Sequence, residues 1–133
     1  MNEQVRSKAA KTYLLGHTSA ALHRLLVQGQ MLNPFTRRVF EEVGMTAGMR
    51  VLDVGCGPGD VSLIAAALVG ETGSVLGIDG SVEALQLARS RTQEASLSQV
   101  SFQAGDLLRL TLDQEYDAIV GRLILMHLPE PAA

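Results

Sequence analysis

The rhythm of hydrophobic and polar positions changes at residue 50. Before it, apolar residues recur at helical spacing. Leu22, Leu25, Leu26 and Leu32 fall on one side of a first predicted helix, and Phe35, Val39, Phe40 and Val43 form the stripe of a second. Thr18 or Ser19 can cap the first, Asn33-Pro34 reads as N-cap and first turn of the second, and Gly44 as its stop. Residues 1–17 are polar with little periodicity. From Arg50 onward, short apolar runs alternate with amphipathic stretches. This predicts strands near 50–54, 74–79, 99–103 and 117–122, and helices near 60–69 and 81–94. Ser81 serves as N-cap of the last helix, Glu83 sits in its first turn, and Val82, Leu85, Leu87 and Ala88 give it an apolar side. Such alternation argues an α/β fold with a doubly wound, mainly parallel sheet, preceded by two helices. The organisation expected is a helical lid or appendage over residues 1–44 and a sheet domain over 45–133.

The final stretch departs from this pattern. Asp117–Leu125 is nearly continuous in apolar residues, as a strand buried on both faces should be, and Leu128-Pro-Glu-Pro reads as a helix just beginning. With the chain ending there, the fourth strand is expected to be left as an apolar edge open to pairing. Two expectations follow: a partial chain, or a sheet edge completed by self-association or by a partner chain.

Composition narrows the setting. The chain of 133 residues is 47% hydrophobic and 19% charged, with 11 basic against 14 acidic side chains for a net charge of −3. That describes one globular domain without the basic footprint of a nucleic-acid binder. Arg37-Arg38 is an isolated pair on a solvated helix face. The single cysteine excludes an internal disulfide and fits a reducing, cytoplasmic setting. No signal-like apolar core opens the chain, and the longest apolar run, 63–70, is too short to span a bilayer, so no membrane partner is expected.

The chemistry concentrates at residues 51–60, Val-Leu-Asp-Val-Gly-Cys-Gly-Pro-Gly-Asp. An apolar strand runs into Asp53 and then a loop with glycines at 55, 57 and 59, where backbone can approach a ligand closely. Twenty residues beyond Gly59, the next strand ends on Asp79, an acid placed to accept from ribose hydroxyls. The dinucleotide pattern G-x-G-x-x-G fails because position 60 is Asp, whose carboxylate suits a helix N-terminus but repels a phosphate there. A P-loop fails because no Gly-Lys-Ser/Thr follows. The ligand implied carries a ribose and no phosphate at this turn.

Asp53-x-Gly55-x-Gly57-x-Gly59 resembles the first motif of the class I S-adenosylmethionine-dependent methyltransferases. Gly-Ile-Asp-Gly-Ser at 77–81, Ala-Gly-Asp-Leu at 104–107 and Asp-Ala-Ile-Val-Gly-Arg at 117–122 resemble that family's later motifs in order, so the likeness runs from about residue 45 to the end. It implies a Rossmann-like fold that in the family continues past the helix beginning at residue 128, so the sheet is expected to be truncated after its fourth strand. It also implies S-adenosyl-L-methionine as cofactor and methyl transfer to an acceptor. The lack of a basic surface or protein-recognition module makes a small molecule the acceptor expected. Gly55, Gly57 and Gly59 would admit the methionine and ribose parts of the cofactor. Asp53 would hold its ammonium end, directly or through loop geometry and water, or else simply order the turn. Cys56 lies inside the loop as a small filler; a catalytic thiol would need a base nearby. Asp79 would take both ribose hydroxyls, unless it only caps the next helix. Gly80, Ser81 and Val82 would wall the adenine, and Asp106, with Leu107 beside it, would accept from its amino group. Gly121 and Arg122 would pass under the methionine part and offer a backbone carbonyl to the ammonium, with a structural role for the Arg122 side chain as the alternative.

The Arg-Leu-x-x-Gln segment ending at Gln28 resembles helices that fold over the cofactor, where the amide would meet the methionine carboxylate; an exposed helical Gln is the competing reading. Tyr13 and His17 would belong to the same lid. His127 follows the fourth strand, either as a general base for an acceptor that must lose a proton or as a plain loop histidine. His17, His23 and His127 lack ligand spacing, so no metal site is expected. Two rival functions stay open: a non-catalytic cofactor-binding module, and a nucleotide-cofactor oxidoreductase, which Asp60 and the D-x-G-x-G spacing disfavour.

Overall fold

One helix, α1 (Ala20–Glu42), leads into the sheet in the computed structural model, which describes residues 20–106, 109 and 114–122. The break expected at Asn33-Pro34 is absent. Pro34 lies inside the helix and has no N–H to give the Gln30 carbonyl, a defect that costs about 3 kcal/mol in an isolated helix. The helix continues because its buried positions continue: Leu22, Gly29 and Thr36 are seven residues apart, so both halves present one face to the same neighbour. Asn33 spends its side chain on that neighbour instead of on capping, as described below. The stop at Gly44 is as expected. Gly44 has φ +94°, its amide donates to the Glu41 carbonyl, and the Met45 amide donates to the Phe40 carbonyl. This is a Schellman closure, and Met45 and Phe40 share its hydrophobic contact.

The strands are β1 (Arg50–Val54), β2 (Ser74–Asp79), β3 (Val100–Ala104) and β4 (Ala118–Val120), joined by α2 (Asp60–Val69) and α3 (Val82–Glu94). All pair in parallel in the order β3-β2-β1-β4. The chain thus builds outward from β1 to β3 and then returns to the far side of β1, the reversal that defines a doubly wound sheet. In such sheets ligands lie outside the carboxyl ends of the strands at the reversal point. Here that point is the end of β1.

Register sets which residues share a face. Val51, Asp53, Val75, Gly77, Val100 and Phe102 alternate onto one side. There Ala65, Ala66 and Val69 of α2 pack on Val51 and Val75, and Leu85 and Ala88 of α3 pack on Phe102. Gly77 has a packing reason: a Cβ there would stand 2.7 Å from the Phe102 ring and 3.0 Å from the Cys56 sulfur. On the other side Leu52 and Ile78 are buried, whereas Ile119, in register with Leu52, is 59% exposed. Among the described residues β4 is a sheet edge with an apolar residue facing out. It is shorter than the 117–122 expected: Asp117 instead ties the strand starts together, accepting from the Arg50 amide at 2.8 Å while its own amide donates to the Arg50 carbonyl. Gly121 and Arg122 follow the strand.

Candidate functional site

The loop between β1 and α2 is held by its own backbone. The Cys56 amide donates to the Ile78 carbonyl of β2, the Gly59 amide to the Cys56 carbonyl, and the Leu63 amide to the Gly59 carbonyl. Gly59, the N-cap before α2, has φ +94°, a conformation that favours glycine, and a Cβ there would press 3.1 Å from Ala88. Gly57 is different. Its φ is +52°, yet a Cβ would meet nothing within 4 Å, so its backbone borders open space. Such a surface fits a ligand lying against the loop.

Asp79 closes the floor of that space. Its Oδ2 accepts from the Gly57 amide at 2.9 Å and its Oδ1 from the Ser81 amide at 2.8 Å. One carboxylate therefore spans the glycine loop and the start of α3, with each oxygen keeping acceptor capacity. Capping of α3 falls to Ser81, whose hydroxyl accepts from the Ala84 amide. The helix-cap alternative for Asp79 is thus taken by another residue.

Asp53 sits one strand away, 1% exposed, accepting from the Ser62 hydroxyl at 2.7 Å. Burial pushes its carboxyl up to about 7; the Ser62 bond and the positive charge of Arg122 oppose the rise, and the negative charge of Asp79 adds to it. Asp79, rather than Asp53, bonds the loop amide. Cys56 is buried, and burial together with Asp53 and Asp79 pushes its thiol up, which fits a filler and not a nucleophile.

Asp60, the first residue of α2, is buried at the centre of a polar network. Its Oδ1 accepts from Arg91 Nη2 at 3.0 Å and from Asn33 Nδ2 at 3.2 Å. Arg91 Nη1 also donates to the Pro58 carbonyl in the glycine loop at 2.7 Å. Arg122 Nη1 donates to Asn33 Oδ1 at 2.8 Å and to Thr36 Oγ1 at 3.0 Å. Burial lowers the Arg122 pKa, against the pull of Asp60 and Asp53. Gly29 fits α1 against this centre: a Cβ there would lie 2.6 Å from Asp60 Oδ2.

Of the residues singled out in the sequence, Asp53, Gly55, Cys56, Gly57, Gly59, Asp79, Gly80 and Ser81 come together at the carboxyl ends of β1 and β2. Asp106 lies two residues beyond the end of β3 and pairs with Arg109 at 3.9 Å. The side chain of Arg122 engages α1. Gln28 is not brought to the loop; it is exposed, lining a groove on α1 with His23, Arg24, Val27, Met31 and Leu32. Leu107, His127, Tyr13 and His17 lie outside the described residues. Asn33, Thr36, Ser62 and Arg91 were missed. For Thr36 and Asn33 a signal existed, since both fall on the helical face marked by Leu22 and Gly29.

Comparison with known proteins agrees with this fold. The family model described as "Methyltransferase domain" matches residues 45–133. The chain is 35% identical over 95 residues to a demethylmenaquinone methyltransferase of Staphylococcus aureus (strain MRSA252), a match covering 71% of this chain and 39% of the relative. The chain thus spans about two fifths of the length of the curated relatives it matches. Among solved structures, a SAM-dependent methyltransferase from Aquifex aeolicus superposes with a TM-score of 0.66 at 31% identity, covering 72% of this chain and 52% of that one. The [4+2]-cyclase SpnF superposes with a TM-score of 0.67, also at 31% identity, covering 77% of this chain and 38% of that one.

Proposed function

The chain belongs to the methyltransferase domain family, and from that premise we propose that it carries the S-adenosyl-L-methionine site of a methyltransferase acting on a small-molecule acceptor. The observation that carries this reading is the Asp79 carboxylate, fixed at both oxygens beside the open backbone of Gly57 at the reversal point of the sheet. A ribose whose two hydroxyls donate to that carboxylate would lie against the loop. Asp53 would face the ammonium, Gly80, Ser81 and Val82 would wall the adenine, and Asp106 with Leu107 would meet its amino group. Gly121 and Arg122 would run beneath the methionine part. When bound, the cofactor supplies a methyl group already activated on a sulfonium. The task left to the chain is to position reactants and exclude water. His127 is the residue assigned to proton removal where the acceptor needs it.

A small acceptor is supported by the net charge of −3, which offers nucleic acid no footprint, and by a relative named for demethylmenaquinone. Among the described residues no helix is long and apolar enough to cross a membrane, and the lone cysteine supports a cytoplasmic setting. A second reading, a cofactor-binding module without methyl transfer of its own, is favoured by the likeness to a protein named as a cyclase.

Calorimetric titration of the 133-residue chain with S-adenosylmethionine and, separately, NADH tests the proposal. Saturable binding of the first and none of the second is expected. Binding of NADH alone would overturn the assignment in favour of a nucleotide-cofactor oxidoreductase.

A further inference from the structure

Four hydrogen bonds run in series from the end of β4 to the glycine loop: Arg122 to Asn33, Asn33 to Asp60, Arg91 to the same Asp60 oxygen, and Arg91 to the Pro58 carbonyl. The series touches α1, α2, α3, the loop and the strand end in turn. Asn33 is its hinge point, because its amide accepts from a cation through Oδ1 on one side and donates to an anion through Nδ2 on the other. We propose that Asn33 is a positioning residue: its amide joins Arg122 to Asp60 and so couples the seating of α1 to the shape of the glycine loop that receives the cofactor. This rests on the reading that the cofactor lies against that loop.

Three features support the assignment. Asn33 precedes Pro34 within a helix, a position with an inherent backbone cost, and its side chain leaves the cap role to make these two bonds. Thr36, one turn on and buried, gives Arg122 a second acceptor on α1, so the arginine grips the helix and not a single side chain. Gly29, one turn before, lets the helix backbone come down onto Asp60. The three positions make one contact face over the start of α2. An isolated surface pair would be worth little, but these groups are half-buried or buried, where an unmatched polar atom is costly.

The coupling predicts a rescue that simple packing does not. Asn33→Asp keeps the acceptor for Arg122 but sets a carboxylate against Asp60. Adding Asp60→Asn removes that repulsion, and a turn of the new amide lets its Nδ2 donate to the new carboxylate while its Oδ1 accepts from Arg91. With S-adenosylmethionine as probe, Asn33→Asp is expected to weaken binding about tenfold or more, and the double variant to recover to within about threefold of the native chain. Amide hydrogen exchange without ligand should show faster exchange in Asn33→Asp both in α1 and at residues 55–60, and recovery in the double variant. Thr36→Val, nearly isosteric, should give the same exchange pattern in weaker form. Loosening of α1 with residues 55–60 unchanged in exchange would overturn the coupling, as would a double variant no better than Asn33→Asp. If the native chain fails to bind S-adenosylmethionine, the proposed function falls, and the exchange pattern at 55–60 still decides the coupling.

Discussion

Asp79→Ala is expected to weaken S-adenosylmethionine binding by about 100-fold or more, the largest loss of any single substitution at the site. Hydrogen bonds to a charged group contribute about 1.5–3 kcal/mol each, and about 1.4 kcal/mol is a factor of ten in affinity. Alanine removes two such bonds expected from ribose hydroxyls. It also removes the acceptor of the Gly57 and Ser81 amides, so the loop loses one of its ties to β2 as well. Asp79→Asn should fall between, because one oxygen remains. Calorimetric titration measures the loss, and circular dichroism at the same temperature confirms that the variant is folded. His127→Ala, by contrast, should leave cofactor affinity almost unchanged. Comparable losses from Asp79→Ala and His127→Ala would mean that the division between cofactor and acceptor residues is wrong.

Much of the frame was legible in the chain because each signal was local. The strand over 50–54 and the helix over 60–69 appear at their predicted limits, since an apolar run bounded by Gly-rich turns leaves few alternatives. Ser81 was readable as a cap because a hydroxyl three residues before a helical amide has one obvious use. The errors have a common source. Asn33-Pro34 carries a strong start signal, and a buried face shared along residues 22–36 overrode it, so the long-range contact with Asp60 decided the helix. Asp60 itself was legible as an unfavourable neighbour for phosphate, but its balancing by Arg91 and Asn33 depends on residues 31 and 27 positions away. Such pairings have no local pattern to read. Gln28 shows the converse: a motif-like spacing put it over the cofactor, while the helical phase set by Leu22, Gly29 and Thr36 turns it outward.

The pH response of Asp53 is the second large effect expected. A carboxyl with pKa near 3.8 in the unfolded chain and about 7 in the fold leaves the folded chain holding the extra proton between those values. Stability then falls as pH rises through that window, because ionisation is resisted by burial in the native state alone. The contribution is fully present below about pH 4, is lost by pH 7 and beyond, and amounts to a few kcal/mol at about 1.4 kcal/mol per pH unit. Asp53→Asn removes the ionisation while an amide can keep the Ser62 contact. The variant should match the native chain near pH 3.5 and exceed it in thermal stability at pH 8, less a part returned by Arg122, which loses a nearby negative charge. Cofactor binding should run the other way. If the ammonium of S-adenosylmethionine meets Asp53, ligand favours the ionised form. Native affinity should then rise from pH 5.5 to 7.5 with release of a proton, and the Asn variant should lose both the slope and the affinity. Calorimetry in buffers of different ionisation enthalpy counts that proton directly. An affinity slope that survives Asp53→Asn would assign the titration to another group and remove Asp53 from the ammonium's surroundings.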